Sequence, residues 1–448
     1  MVEDGKRRGA GLFLVAVCWA ATAAAAPFVY VTDAIDDTVS VIDTATDTVT
    51  ATVPVGDISG VAIDPLAVSP DGRRVYVALV DGIAVLDTST QTVRTTVSGL
   101  YLSGGIAVDP SGSRIYVVNA TDPGSVSTID ATSYAVAGTV QLTDRGSLAM
   151  AISPDGSRAY VTNTFDDIEQ HHCRSSPLTC PLTVDVVELQ TGRLLPRVDD
   201  VGAFLMGIAV NSSGTRVYVA QYNLRVDGSG ITSGMAVIEP YPGICPPPPF
   251  FCPSRVAARV PGIGPGVDVA VHPTDACVYV TGGQSDATGG AALKVVDAGS
   301  NRFIRGIPLA PRSSGERSYA LALNPAGSRA YVSLVRADGK PSRVAIVDTI
   351  ANTLEAYVTV GHGPNGIRFV PDPQEAAGSA AAAAPVRCPG DCDSNGSVTV
   401  DELVQGVNIA LGGAGSCTCA ASDANGDGTV TVDELVTAIN NALNACPP

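Results

Sequence analysis

The chain of 448 residues is 45% hydrophobic and 16% charged, which is enough apolar material for more than one domain and argues against a disordered protein. Its 44 acidic side chains outnumber 27 basic ones, for a formal net charge of -17. Because the sequence contains no local basic patch, this charge would repel a nucleic-acid backbone, and nucleic acid is not an expected partner.

Residues 1–26 have the pattern of an export signal. Lys6, Arg7 and Arg8 precede the apolar run "GLFLVAVCWAATAAAA", which ends in small residues suited to cleavage near Ala26. No later stretch reaches about 18 uninterrupted apolar residues, so no membrane span is expected in the mature chain. We therefore predict a protein that is secreted, periplasmic or on the surface of a bacterial or archaeal cell.

A repeat follows the signal. Tyr-Val occurs after an aliphatic residue at seven tyrosines that recur 40 to 61 residues apart: Tyr30, Tyr76, Tyr116, Tyr160, Tyr218, Tyr279 and Tyr331. Six of them follow a turn such as "SPDGRR" or "NPAGSR", whose Pro, Asp, Asn and Gly favour a tight hairpin. Alternating apolar runs before the turn and after each tyrosine predict four strands per unit. Residues 27–373 are thus predicted to form an all-β fold, a seven-bladed β-propeller.

The two ends of the repeat region complement each other. The first unit, "FVYVTDAIDDTVSVIDTATDTVTATVPVG", lacks the strand that precedes the turn elsewhere, and the last segment, "GPNGIRFVPDP", supplies only that strand. We expect the N- and C-terminal strands to pair and close the ring, which removes exposed sheet edges. With "YVTN" itself at residues 160–163, the units resemble the YVTN-repeat β-propeller family of surface-layer and other exported microbial proteins. Related propellers include lactonases, redox subunits and adhesive modules, so the resemblance implies the fold and leaves the function open.

Long connections after the Tyr-Val strands mark one face of the predicted ring. They occupy residues 163–183, 221–234 and 281–290, and long loops on a rigid scaffold are where binding surfaces usually form. No haem-attachment, nucleophile-elbow, phosphate-loop or zinc-protease motif occurs, and no catalytic residue is predicted. The repeated tyrosines are expected to be structural, and His272 and His362 to be solvated or hydrogen-bonded.

Export would allow the cysteines to pair. Ten of the eleven lie in the mature chain, and the close spacings predict the local disulfides Cys173–Cys180 and Cys245–Cys252. The pairing of Cys277 and of the five cysteines after residue 387 is not decided by the sequence.

An Ala-rich linker at residues 374–387 leads to a C-terminal segment, 388–448, with eight acidic residues and no Lys or Arg. It contains "DCDSNGSVTVDE" at 391–402 and "DANGDGTVTVDE" at 423–434, and both match the twelve-residue EF-hand pattern with glycine at position six. We predict two calcium ions. The predicted ligands of the first are Asp391, Asp393, Asn395, Ser397, Thr399 and Glu402, and those of the second are Asp423, Asn425, Asp427, Thr429, Thr431 and Glu434.

Each loop is expected to run into a helix with an apolar stripe on one face. The predicted stripes are Leu403, Val407 and Leu411 in the first helix and Leu435, Ile439 and Leu443 in the second, and they are expected to pack together. Val398 and Val430 are candidates for a short two-stranded link between the loops.

Two loop-then-helix units at the end of an exported chain resemble a dockerin, a small α-helical module that binds cohesin domains. Dockerins usually carry aspartate at loop position twelve and small hydroxyl residues at ten and eleven, whereas this chain has "VDE" at both places, which puts a cohesin partner in doubt.

These features predict a binding, adhesion or assembly protein. In this hypothesis the propeller is a rigid platform, and the C-terminal module docks to an envelope or extracellular protein or glycan. Two alternatives remain: a lactonase-like hydrolase in the propeller funnel, localised by the C-terminal segment, and a C-terminal segment that only stabilises the chain.

Overall fold

The computed structural model describes residues 27–59, 63–100, 104–119, 121, 123–143, 145–165, 182–202, 204–222, 234–240, 254–282, 290–371, 388–392, 397–411, 419, 422 and 430–444. The predicted signal at 1–26, the linker at 374–387 and the two predicted disulfides Cys173–Cys180 and Cys245–Cys252 lie outside the described residues. Most of the long connections assigned to the recognition face also lie outside them.

Twenty-eight strands in the described part of the chain form seven four-stranded antiparallel sheets. Blade 1 contains β1 (Phe28–Asp33), β2 (Thr38–Asp43) and β3 (Thr48–Pro54), and blade 2 contains β4 (Leu66–Val68), β5 (Arg74–Leu79), β6 (Gly82–Asp87) and β7 (Thr92–Ser98). Blade 3 contains β8 (Ile106–Val108), β9 (Arg114–Asn119), β10 (Ser125–Asp130) and β11 (Val136–Gln141). Blade 4 contains β12 (Arg145–Ile152), β13 (Arg158–Phe165), β14 (Leu182–Glu188) and β15 (Arg193–Gly202). Blade 5 contains β16 (Leu205–Val210), β17 (Val217–Gln221), β18 (Met235–Glu239) and β19 (Arg255–Val260). Blade 6 contains β20 (Val269–Val271), β21 (Cys277–Val280), β22 (Ala291–Asp297) and β23 (Arg302–Ala310). Blade 7 contains β24 (Arg317–Leu323), β25 (Arg329–Val335), β26 (Arg343–Asp348) and β27 (Thr353–Thr359), and β28 (Pro364–Val370) completes blade 1.

The blades form a closed ring. The innermost strands β4, β8, β12, β16, β20, β24 and β28 each contact the innermost strand of the next blade, and β28 returns to β4. Strand β28 pairs with β1 in antiparallel register, with Val29 opposite Phe369 and Val31 opposite Ile367. The predicted seven-bladed propeller, closed by the two ends of the repeat region, is therefore confirmed.

The inner hairpin turns adopt the backbone conformation that their sequence predicts. Gly72 of "SPDG" has φ of 67°, in the left-handed region that glycine enters without steric cost. In blade 6 the same place is held by Asp275 with φ of 60°, and aspartate is one of the few other residues that tolerate this region.

The repeated tyrosines fill the space between blades. All seven are at most 2% exposed, and burial raises the pKa of each hydroxyl. In five blades the arginine two residues earlier lies on the same side of the strand and interacts with the hydroxyl, as Arg158 does with Tyr160. The hydroxyl of Tyr30, which has no such arginine, is buried without a hydrogen-bond partner among the described residues. The tyrosines are thus structural, as expected.

A hydroxyl two residues after the tyrosine links neighbouring inner strands. Thr162 Oγ1 accepts from the Ala149 N–H at 3.1 Å in its own blade and donates to the Met206 carbonyl of the next blade at 3.2 Å. Thr281 connects blades 6 and 7 in the same way, to Asp268 and Tyr319, and Ser333 connects blade 7 to β28. In these three cases, the Thr or Ser that follows Tyr-Val therefore connects its blade to the next one.

The C-terminal segment contains two helices, α1 (Val400–Ala410) and α2 (Val432–Asn444), which pack against each other. A small core forms from Ile409, Cys419 and Val430, with Cys392 and Leu435 beside it, and a disulfide joins Cys392 to Cys419. Cys277 and Cys388 are also disulfide-bonded. Val398 and Val430 are both buried but lie in no strand, so the suggested two-stranded link is not formed.

The predicted packing of the helix stripes is wrong in part. Leu403 and Leu435 are half-buried, but the other four members, Val407, Leu411, Ile439 and Leu443, are 42% to 79% exposed. In α1 the inward face is instead set by Glu402, Gly406 and Ile409, because Glu402 turns inward to hydrogen-bond its own loop. Within the described residues, no helix has the length and apolarity needed to cross a membrane.

Candidate functional site

Among the described residues, two cavities lie along the inner strands of blades 5, 6 and 7, one at each end of these strands. Near their first residues, β16, β20 and β24 line an upper cavity of about 340 Å³ with Met206, Val267 and Tyr319. Near their last residues they line a lower cavity of about 400 Å³ with Ala209, Val271 and Leu323. The upper cavity lies at the end of these strands where β17 finishes, next to Tyr222.

The upper cavity has a largely apolar wall and three polar side chains whose polar atoms have no partner among the described residues. Arg317 is exposed and, among the described residues, has no hydrogen-bond or ion-pair partner. Tyr222 and Tyr319 line the same cavity and are half-buried, and no described group hydrogen-bonds to either phenol oxygen. Burial and the charge of Asp268 raise the pKa of Tyr319, so its hydroxyl stays a neutral donor.

The lower cavity contains two carboxylates and one guanidinium, brought together from three blades. Asp64 forms an ion pair with Arg368, while its Oδ1 atom is buried without a hydrogen-bond partner among the described residues. Asp268 Oδ1 accepts from the Val269 N–H at 2.8 Å, and its Oδ2 accepts from the Leu321 N–H at 2.9 Å. Asp268 thus connects the inner strands of blades 6 and 7.

The charges of this cluster act on one another. Burial, together with the charge of Asp64, raises the pKa of Asp268 to about 7, against the lowering effect of Arg368. Burial also raises the pKa of Asp64, and Arg368 opposes that shift. A carboxyl group that titrates near neutral pH can give or take a proton during a reaction.

This cluster was not predicted from the sequence, because Asp64, Asp268 and Arg368 belong to no motif. One signal was present: Asp268 and Arg368 interrupt the apolar runs "GVDVAV" and "GIRFV" at positions where neighbouring units have uncharged residues. A charged residue within a predicted inner strand is a candidate for the channel wall.

Six of the twelve predicted calcium ligands are described. Asp391, Ser397, Thr399 and Glu402 belong to the first loop, and Thr431 and Glu434 belong to the second; the other six, Asp393, Asn395, Asp423, Asn425, Asp427 and Thr429, lie outside the described residues. The described residues contain no group of three or more His, Cys, Asp or Glu side chains arranged to hold a metal.

In the first loop, a hydrogen bond brings the two ends of the loop together. Glu402 Oε1 accepts from the Cys392 N–H at 2.7 Å, which brings the last predicted ligand next to the first, Asp391. Glu402 Oε2 accepts from the N–H of Thr399 at 2.6 Å and from its hydroxyl at 2.8 Å, in a capping box at the start of α1.

The second loop repeats part of this arrangement. Glu434 Oε2 accepts from the N–H of Thr431 at 2.8 Å and from its hydroxyl at 2.9 Å. Asp391, Glu402 and Glu434 are each at most 7% exposed, in a segment without Lys or Arg. Buried carboxylates without a cationic side chain are stabilised by a bound cation, so these residues fit calcium.

Both described histidines are hydrogen-bonded, as expected. His272 Nδ1 lies 2.7 Å from Thr274 Oγ1, and His362 Nδ1 lies 2.9 Å from both carboxylate oxygens of Asp36. His171 and His172 lie outside the described residues.

Comparisons with solved structures show propeller folds at low sequence identity. The chain is similar to the hydrazine synthase of Kuenenia stuttgartiensis, with TM-score 0.56 and 19% identity over 71% of this chain and 92% of that one. It is similar to a functionally unknown protein from Desulfotomaculum acetoxidans, with TM-score 0.55 and 15% identity over 76% and 98%. It is also similar to the dihydro-heme d1 dehydrogenase NirN, with TM-score 0.51 and 14% identity over 78% and 76%. At these identities the likeness supports the fold alone. No protein-family model and no curated protein matches the sequence.

Proposed function

We infer that this chain is an exported recognition and assembly protein. Its propeller is a rigid platform, and its C-terminal segment is a calcium-binding module that docks the platform to a partner protein of the envelope or extracellular space. The observation that carries the docking role is a pair of exposed aliphatic rows on α1 and α2.

The two rows occupy equivalent positions in the two repeats. The α1 row is Val400, Val404, Val407 and Leu411, and the α2 row is Val432, Val436, Ile439 and Leu443; their side chains are 42% to 79% exposed. Within each row the residues follow the spacing of one helix face. Eight exposed aliphatic side chains on so small a segment are unfavourable in water, and they fit a partner protein with an apolar surface.

Calcium supports this role by forming the loops from which the helices start. The residues that would hold it are the twelve predicted oxygen ligands, of which Glu402 and Glu434 also cap α1 and contact the start of α2. The ion would neutralise carboxylates that otherwise repel one another. Exported calcium modules of this kind fold around the metal, so docking is expected to depend on calcium.

The test is capture by the full mature chain from envelope and secreted fractions, with calcium and with a chelator. The row variant is Val404→Asp with Val436→Asp, and its matched control is Thr50→Asp with Thr96→Asp on the exposed outer strands β3 and β7 of the propeller. We expect one polypeptide to be retained with calcium by the wild type and the control, and lost with the chelator and with the row variant. Equal retention by the row variant, with α1 and α2 still formed, would refute docking through these rows.

The cluster in the lower cavity favours a second function, hydrolysis of a lactone-like substrate in the channel. Asp268 has a pKa of about 7 and lies beside the Asp64–Arg368 ion pair, as an acid-base residue with an electrostatic partner would. The measurement is turnover of a panel of lactones by the wild type and by Asp268→Asn. Turnover that falls at least about a hundredfold in the variant would support this function, and no turnover by the wild type would exclude it for the panel.

A further inference from the structure

We propose that the upper cavity is a binding site for a small organic acid, with its carboxylate on Arg317 and its apolar body in the cavity. This inference rests on the first part of the proposed function, a propeller that recognises a ligand, and not on calcium or docking. No motif marks the site, because its residues come from blades 5, 6 and 7.

The charge of Arg317 is the first reason. The preceding residue, Glu316, is 3% exposed and accepts two hydrogen bonds from Arg343, at 2.8 and 2.5 Å, and Arg336 lies 3.5 Å from it. Successive residues of a strand point to opposite sides, so Arg317 faces away from this group. In a chain of net charge -17, an arginine without a partner among the described residues stands at the wall of a cavity.

The chemistry of a guanidinium selects the anion. Its planar fork matches a carboxylate through two parallel hydrogen bonds, and such charge-assisted bonds are stronger than neutral ones. The phenol groups of Tyr222 and Tyr319 line the same cavity and add neutral donors. Among the described residues that line the cavity, Arg317 is the only cationic side chain, so a singly charged acid fits the site better than a phosphate, whose charge calls for more donors.

The remaining wall selects an apolar body. Met206, Pro265 and Val267 line the cavity with the rings of the two tyrosines, so most of its surface is apolar. A volume of about 340 Å³ is at the small end of ligand pockets, which suits an acid with one ring or a short aliphatic chain.

The wall is held in place by hydrogen bonds, so little ordering is needed on binding. Ser318 Oγ accepts from the Gly282 N–H at 3.0 Å and donates to the Ala292 carbonyl at 3.0 Å. The Tyr222 N–H donates to the Phe204 carbonyl at 2.8 Å, and Lys294 Nζ donates to the Pro265 carbonyl at 2.7 Å. A pre-formed site loses less entropy on binding than a flexible one.

The experiment is calorimetric titration of the full mature chain at low ionic strength with benzoate, acetate, benzamide and inorganic phosphate. Benzoate is expected to bind most tightly, because acetate lacks the apolar body and benzamide lacks the charge. Arg317→Gln is expected to weaken benzoate about tenfold or more, as loss of a charge-assisted hydrogen bond does. The matched control is Arg312→Gln, an exposed arginine of the preceding 3-10 turn that does not line the cavity, and it should change affinity less than about twofold.

Three outcomes would overturn the proposal: no binding of benzoate, equal binding by Arg317→Gln with an unchanged melting temperature, or phosphate or acetate binding as tightly as benzoate. Repeating the titration with a chelator separates this site from the docking module. Benzoate binding without calcium-dependent capture would refute docking alone, and capture without benzoate binding would refute the acid site alone.

Discussion

The propeller and the C-terminal segment are both built from repeats, but they differ in what the side-chain hydrogen bonds of each repeat join: neighbouring repeats in the propeller, and residues of one loop in the C-terminal segment. In the propeller, Thr162, Thr281 and Ser333 each bond to the next blade, and the last of these contacts reaches β28 of blade 1. In the C-terminal segment, Glu402 and Glu434 bond within their own loops. A closed ring therefore shares its stability among neighbours, whereas two small repeats depend more on cross-links such as Cys392–Cys419 and, in the function proposed above, on a bound calcium ion.

The largest expected effect is that of calcium removal on the folding of the C-terminal segment. Glu402→Gln with Glu434→Gln, or a chelator, should abolish the helical far-UV signal of α1 and α2 and leave the melting of the propeller unchanged, because the loops would lose the calcium ion proposed to neutralise them. Circular dichroism and calorimetry measure both parts. Glu239→Gln, an exposed propeller glutamate paired with Arg255, is the control and should change neither. A propeller that melted earlier without calcium would show that the two regions are coupled.

The second effect concerns pH and blade 1, where the two ends of the repeat region pair. Asp33 is fully buried, its Oδ2 accepts from Ser40 Oγ at 2.6 Å, and its Oδ1 has no partner among the described residues. Burial raises the pKa of Asp33 to about 7, and the charge of Asp36 adds to the shift. The folded state therefore binds the proton more tightly than the unfolded state, and the contribution of Asp33 to the free energy of unfolding falls as the pH rises from about 4 to about 7.

Asp33→Asn cannot titrate, so its stability relative to the wild type should rise over that range by about 2 kcal/mol or more, since each pKa unit is worth about 1.4 kcal/mol. Urea unfolding at several pH values measures the difference. The control is Asp57→Asn, at an exposed position where hydrogen bonds from Ser59 lower the pKa of the carboxyl, so the same difference should stay flat or fall over that range. A flat difference for Asp33→Asn as well would mean that Asp33 is ionised in the folded protein.

The third effect tests the bonds between blades. Thr162→Val keeps the shape of the side chain but leaves the Ala149 N–H and the Met206 carbonyl without this partner, which should lower the free energy of unfolding by about 1 to 3 kcal/mol. Thr96→Val, on the exposed outer strand β7, should have an effect below about 0.5 kcal/mol. Equal effects in chemical denaturation would remove the special role given to these hydroxyls.

The smallest expected effect is the difference in stability between phenylalanine substitutions at two of the repeated tyrosines, Tyr160 and Tyr30. Tyr160→Phe loses a hydroxyl that interacts with Arg158 and should destabilise the protein by about 1 kcal/mol. Tyr30→Phe removes a buried hydroxyl without a partner among the described residues, and should be neutral or stabilising by up to about 1 kcal/mol. In the same unfolding assay, Tyr160→Phe should lower the free energy of unfolding and Tyr30→Phe should not, and equal losses would contradict the assignment.

The sequence by itself determined the number of blades and the closure of the ring. Both are local patterns: seven Tyr-Val strands, turns with Gly72 or Asp275 in the left-handed region, and a first unit that lacks the strand supplied by residues 364–370. The sequence also predicted that a helix follows each loop, and α1 and α2 start at Val400 and Val432, near the ends of the loops. This start can be read from the sequence because the capping residues Thr399 and Glu402 are adjacent in the chain to the helix they start.

Only the tertiary structure decided which residues meet in the channel and which helix faces remain exposed. Asp64, Asp268 and Arg368 are far apart in sequence and meet because their blades surround one axis, and Arg317 reaches the upper cavity for the same reason. Four members of the predicted stripes, Val407, Leu411, Ile439 and Leu443, lie in the exposed rows of α1 and α2 and not in the helix interface. In α1 the inward face includes Glu402, whose carboxylate is held by the Cys392 N–H. Periodicity specifies that a helix has an apolar face, but contacts distant in sequence determine whether that face is covered.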